Sequence, residues 1–182
     1  MKKLIIRTLL IIGVGMSSDA FAQDFDKNAN QNPFISLGIS GAGGDMYQNS
    51  FNVQFRAGVP LNNNLFIGPI IGYSTVENQS IYNEDFEQAE FGGFLRKRFP
   101  VSNNFYFSTD FAGSITKNIA VKSISNTTNV GLTFDAEYRP IKEFSIRMLL
   151  GGVIFNSYDG KSGVVYNFGL NNPRLELSYH LK

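Results

Sequence analysis

The sequence has no cysteine, no tryptophan and a single histidine, His180. Without cysteine neither a disulfide nor a thiolate metal site can hold the chain together, and one histidine excludes a multi-histidine metal centre. Long apolar runs are missing too. The run from Leu4 to Met16 is interrupted by Arg7 and Thr8, and it falls short of the roughly 20 residues a helix needs to cross a bilayer core of about 30 Å. After Gln23, Arg, Lys, Asp, Glu or Asn breaks every apolar run, which excludes a helical membrane protein. An excess of one charge is also absent. Without Lys2, Lys3, Arg7 and Asp19 of the first 22 residues, 13 basic and 14 acidic residues remain, leaving no basic surplus for nucleic acid.

What is present begins with an export signal. Lys2, Lys3 and Arg7 form a charged start, Leu9 to Val14 an apolar centre, and Ala20-Phe21-Ala22 an A-x-A cleavage site. The expected organisation is a signal peptide over 1–22 cleaved after Ala22, a flexible leader over 23–32, and one domain over 33–182. That domain is rich in Gly, Phe, Tyr, Asn and Ser, which favours strands joined by turns.

Three similar segments carry most of the information: Val59-Pro60-Leu61-Asn62-Asn63-Asn64-Leu65, Phe99-Pro100-Val101-Ser102-Asn103-Asn104-Phe105 and Arg139-Pro140-Ile141-Lys142-Glu143-Phe144. Proline lacks an N–H and biases its predecessor towards extended backbone, so Pro60, Pro100 and Pro140 each suit a strand end entering a tight turn. Their spacing of 40 residues implies a repeated hairpin. Between the turns, apolar and polar residues alternate, as in Phe51 to Val59, Val130 to Arg139 and Arg174 to Leu181. Strands are expected over about 34–43, 51–59, 65–76, 86–99, 105–117, 127–139, 144–156 and 166–182. Eight strands of about 10 residues, tilted about 45°, match the apolar belt of an outer-membrane barrel. Short proline turns would face the periplasm. The longer segments Gly44 to Ser50, Glu77 to Asp85, Asn118 to Asn126 and Ser157 to Val165 would form outer loops.

Alternation alone does not say which face points inward, since a soluble lipocalin-like barrel alternates with the opposite sense. The charges decide. Arg56, Glu90, Arg96, Arg98, Asp110, Asp135, Glu137, Arg139, Arg147, Arg174 and Glu176 share the polar face at mid-strand positions. An eight-stranded barrel has room inside only for side chains, so these charges are expected to pair in a plugged lumen. The opposite face, including Ile35, Leu37, Ile39, Phe55, Ile71, Phe91, Phe111, Leu175 and Leu177, would meet lipid. Tyr73, Phe99, Phe105, Tyr138, Phe144 and Tyr179 would form aromatic girdles. Two strands are apolar on both faces, and Phe66, Ile70, Leu149, Val153 and Phe155 are expected to meet across the lumen as an apolar plug.

The signal peptide, the turns at Pro60, Pro100 and Pro140, and the closing segment Leu175-Glu176-Leu177-Ser178-Tyr179-His180-Leu181 together resemble the small outer-membrane β-barrel proteins of Gram-negative bacteria. These are the OmpX and OmpA-barrel type, often labelled the porin family. The resemblance covers Asn32 to Lys182. It implies an all-β, eight-stranded antiparallel up-and-down transmembrane barrel in the outer membrane. It implies as partners the assembly machinery during insertion and then outer-membrane lipids and lipopolysaccharide.

Other chemistry is weakly supported. Glu176, Ser178 and His180 share one face, but alternate same-face residues stand about 6.6 Å apart along a strand, too far for an ordinary Ser-His bond. Asp24, Asp26, Asn28 and Asn30 imitate a calcium loop without its turn glycine, and Gly160-Lys161-Ser162 lacks the upstream glycine of a phosphate loop. No enzymatic activity and no cofactor are expected. The leading function is a structural or surface-interaction role, with Tyr47, Tyr82 and Tyr158 as loop contacts for a surface ligand. A narrow pore for ions or small solutes and a soluble periplasmic lipid-binding barrel are the alternatives.

Overall fold

A computed structural model describes residues 32–42, 49–77, 86–119, 126–158, 161–168 and 174–182, and nearly all of them are strand. The signal peptide and its cleavage site at Ala22, the leader to residue 31, the calcium-loop imitation and most of the outer loops lie outside the described residues. The strands are β1 (Phe34–Ala42), β2 (Asn49–Asn62), β3 (Leu65–Glu77), β4 (Phe86–Pro100), β5 (Phe105–Asn118), β6 (Thr127–Ile141), β7 (Phe144–Tyr158), β8 (Lys161–Phe168) and β9 (Arg174–His180). Every neighbouring pair is antiparallel, from β1 through to β7. The sheet closes where β9 pairs with both β1 and β7.

Nine segments make eight staves, because β7 divides its partners. Phe144 to Met148 pair with β9, whereas Gly151 to Tyr158 pair with β8. The first seven strands fall where the alternation places them. The eighth corrects the expectation: Ser157 to Val165 is not a loop, since β7 and β8 continue to the pair Tyr158↔Lys161. β8 ends the sheet order, and its far edge has no strand partner among the described residues.

The proline turns share one rim. Asn64 takes a left-handed backbone (φ 68°) between β2 and β3, a conformation that asparagine tolerates better than most residues. Register shifts at Pro60 to Asn62 and at Tyr138 to Ile141 absorb the missing proline donors. Between β4 and β5, Val101 and Ser102 donate to the Phe105 carbonyl at 2.9 and 3.0 Å. The chain end is tied to the same rim: His180 N–H donates to the Glu143 carbonyl at 2.7 Å and Leu181 N–H to that of Pro33 at 2.8 Å. Lys182 Nζ reaches Glu143 Oε1 at 3.3 Å, and its hydrogen bond holds that carboxyl below its usual range.

A third register shift decides what fills the barrel. Phe134 pairs with Gly151 and Asp135 with Leu149, so Leu150 is an extra residue in β7. Residues paired across a sheet share a face, and the side chains of β7 therefore exchange faces at Leu150. Before it Ser145 and Arg147 point inward. After it Ile154 and Asn156 do, while Val153 and Phe155 follow their partners Leu132 and Val130 outward. The expected plug across the third and seventh strands is thus corrected. Phe66 and Ile70 of β3 are buried, but they pack with Phe34 of β1 and Phe94 of β4. Phe34 meets Phe66 edge-on at 5.5 Å between ring centroids and Phe94 at 6.1 Å. Gly58, the cross-strand partner of Phe34, leaves the space its ring occupies.

Gly58→Val would place methyl groups where the Phe34 ring lies. The expected loss is about 1–3 kcal/mol, as for other overpacked cores. It is checked by urea unfolding of the refolded barrel in micelles, read by heat-modifiable gel migration because the chain has no tryptophan.

Candidate functional site in the barrel lumen

The inner face of the proline half is packed with ion pairs around one carboxylate. Asp110 of β5 accepts from Arg56 Nη1 of β2 at 2.6 Å, from Arg96 Nε and Nη2 of β4 at 2.8 and 3.1 Å, and from Arg147 Nη1 of β7 at 2.8 Å. Glu176 of β9 accepts from Arg96 Nη2 at 3.1 Å and from Arg147 Nη2. Asp135 of β6 lies 3.4 Å from Arg147 and 3.6 Å from Arg174. These groups come from six strands, and the Asp110, Arg96 and Arg147 side chains are at most 1% exposed.

A second layer lies nearer the proline rim. Arg98 Nε donates to Glu137 Oε2 at 2.9 Å, and Arg139 is 4.0 Å from the other oxygen. The His180 ring stands 3.0 and 3.1 Å from Arg139 Nη2 and 3.1 Å from Ser145 Oγ. Arg139 lies 5.5 Å from the Tyr106 ring centre. Guanidinium groups also cover the aromatic cluster: Arg96 is 4.7 Å above Phe34 and 5.0 Å above Phe94, and Arg98 is 4.5 Å above Phe66. Cation–π contacts of this kind suit arginine, whose weak hydration makes burial less costly than for lysine.

The structure thus brings together ten of the eleven charges selected from the sequence. Glu90 stands apart. Its Oε2 accepts from Gln54 Nε2 at 2.8 Å, and Gln54 Oε1 accepts from Arg56 Nε at 2.8 Å, so an amide relays it to the network. Phe34, Gln54, Phe94, Tyr106 and Ser145 are inner-face residues that the charge count overlooked. The alternation could have found Gln54, Phe94, Tyr106 and Ser145, since each shares its face with a selected charge on the same strand, whereas β1, which holds Phe34, carries none.

The serine that meets His180 is Ser145, not Ser178, and it is fully buried together with His180 and Glu137. Lys161 and Ser162, two of the three residues of the phosphate-loop imitation, open strand β8 and are exposed. Tyr158 also belongs to a strand, whereas Tyr47 and Tyr82 lie outside the described residues.

Towards the opposite rim the lumen widens into a cavity of about 430 Å³, bordered by Ser40, Asn52, Gln54, Glu90, Asn129 and Arg174 among others. Outside, the barrel presents Leu37, Ile39, Phe55, Ile71, Phe91, Phe111, Leu175 and Leu177 to its surroundings, all exposed. Tyr73, Tyr138 and Tyr179 are exposed as well, and Phe99, Phe105 and Phe144 partly so. Polar inside and apolar outside is the reverse of a soluble barrel. The lipocalin-like alternative is therefore corrected: its lumen would need the apolar face.

No family model matches the chain, and no characterised protein sequence matches it at a significant level. Several solved structures are similar to it. The Yersinia pestis outer membrane protein Ail, in a phospholipid bilayer nanodisc, superposes with a TM-score of 0.47 at 14% identity, over 83% of this chain and 99% of that one. Neisserial surface protein A gives 0.45 at 15% identity, over 81% and 92%. A de novo designed transmembrane β-barrel gives 0.42 at 15% identity, over 83% and 96%.

Asp110→Asn would leave Arg56, Arg96 and Arg147 short of their shared carboxylate. The expected destabilisation is about 3–5 kcal/mol, the range for breaking a buried pair from one side. Glu90→Gln, which can keep its amide contact, should cost far less. Urea midpoints of the two refolded variants, compared side by side, check the difference.

Proposed function

We propose that this chain is an integral outer-membrane β-barrel whose lumen is closed by side chains, and that it serves a structural or surface-interaction role. The observation that carries this reading is the inverted amphipathicity. The largest enclosed side chains are Arg96, Arg98 and Arg147, while Phe and Leu side chains cover the outside. In water such a surface would be an aggregation hazard, and in lipid it is the low-energy surface. A closed barrel also leaves few unpaired backbone groups in hydrocarbon.

Closure of the passage is supported by the two ion-pair layers, the first of which ties β5 to β2 and β7 across the lumen, and by the aromatic cluster of β1, β3 and β4 packed against their guanidinium groups. Transport, and with it the narrow-pore alternative, would require those layers to part. Catalysis lacks support for a similar reason, since the Ser145–His180 pair is enclosed. The reading implies export with cleavage after Ala22, insertion by the outer-membrane assembly machinery, and contact with lipids and lipopolysaccharide. The outer loops would carry any surface ligand.

The expected result of cell fractionation is recovery of the chain in the outer membrane, with heat-modifiable gel migration. The refolded barrel in planar bilayers should show no reproducible conductance steps. Recovery in a detergent-free periplasmic extract would overturn the membrane reading, and stable steps would overturn closure. Leu37→Arg, on the outer face, should destabilise the bilayer-embedded barrel by about 2–4 kcal/mol if it lies near the midplane, measured by unfolding in lipid vesicles.

A further inference from the structure

We propose that the open half of the lumen is a binding site for a small hydroxylated carboxylate, of the sugar-acid class. Its volume of about 430 Å³ falls within the roughly 300–1,000 Å³ of ligand pockets. The lining supplies both directions of hydrogen bonding: the amides of Asn52, Gln54, Asn129 and Asn156, and the hydroxyls of Ser40, Ser74 and Thr116. Leu149, Ile154 and Val165 add an apolar strip on the wall built by β7 and β8. Amides and hydroxyls facing an apolar strip suit a sugar ring, which carries hydroxyls at its edge and C–H bonds on its faces.

The charge comes from Arg174. Its Nε and Nη2 are buried without a hydrogen-bond partner, and its ion pair with Asp135 is long, at 3.6 Å. The side chain borders the cavity, and a guanidinium so loosely paired can turn a pair of donors to a carboxylate that enters there. The lumen as a whole favours an anion, because six arginines stand against five carboxylates on its inner face. Glu90 borders the same cavity and accepts hydroxyl donors, which selects a ligand with hydroxyls over a bare anion. The inner face above the ion-pair layers also carries Gly72, where a side chain would intrude on the Glu90 carboxylate.

The site rests on the closed lumen in one respect: the ion-pair layers form its floor, so ligand enters and leaves by the outer rim. Equilibrium binding is read independently of conductance, which keeps a failure of closure distinguishable from a failure of the site. The full refolded barrel in phosphatidylcholine nanodiscs is titrated calorimetrically with sodium glucuronate, glucose, propionate and glucosamine. Saturable binding of glucuronate at one site is expected, with glucose and propionate each weaker by about tenfold or more and glucosamine not binding.

Arg174→Gln should weaken glucuronate about tenfold or more while heat-modifiable migration persists. Ile154→Trp, which narrows the cavity at a position whose cross-strand partner is Gly131, should weaken binding about tenfold or more, and it serves as the test if the Arg174 variant does not fold. The proposal is overturned if the wild-type barrel takes glucuronate no better than glucose or propionate. It is equally overturned if binding is unchanged in whichever variants fold.

Discussion

The structure turns on the carboxylate of Asp110, which accepts hydrogen bonds from three guanidinium groups on three other strands. Backbone ladders join each strand only to its neighbours. Asp110 is what ties β5 directly to β2 and β7 across the lumen, and through Arg96 and Arg147 to Glu176 on β9. A charged network inside a barrel in lipid has no water to fall back on, so each arginine must find acceptors among the strands. That requirement fixes register as well as charge. A one-residue slip of any strand would turn its inner charges out towards hydrocarbon.

Most of the architecture was legible because two simple signals agree. Pro60, Pro100 and Pro140 mark turns at equal spacing, and between them the faces alternate with charge confined to one side. The seven strands so bounded end within a few residues of where those signals place them. The inner charges were legible for the same reason. Arginine and carboxylate at mid-strand can be tolerated only where partners are dense, so their shared parity already says which way the face points. What parity cannot give is who pairs with whom. Asp110 and Arg56 are 54 residues apart, and their meeting depends on the stagger of the whole barrel.

The errors share a cause. Parity extrapolates along a strand until a residue is inserted, and Leu150 is such an insertion. Beyond it Val153 and Phe155 change sides, so the plug expected from β3 and β7 dissolves and Phe34 and Phe94 take the place of its distant half. The stretch Leu149-Leu150-Gly151-Gly152-Val153 is apolar or small at every position, and no change of pattern marks the bulge. The hairpin between β7 and β8 was hidden differently. Ser157 to Ser162 is rich in turn-forming residues, and nothing in it distinguishes a long loop from two strands that run on to a tight end.

The bulge also explains why the lumen has two unlike halves. On the proline side of Leu150, β7 contributes Arg147 and Ser145 to the network, and large guanidinium groups fill the interior against Phe34, Phe66 and Phe94. On the other side the same strand offers Gly152, Ile154 and Asn156, and β1, β3 and β5 offer Gly38, Gly72, Ser74 and Thr116 at the inner positions. These are small or neutral groups, and they leave space rather than fill it. Stability is therefore concentrated in one half of the barrel, where broken pairing is costly, and the other half is released from the work of holding the strands together. Arg174 stands at the boundary: paired loosely to Asp135 below and bordering the cavity above, it is the network charge through which the open half can answer to an anion.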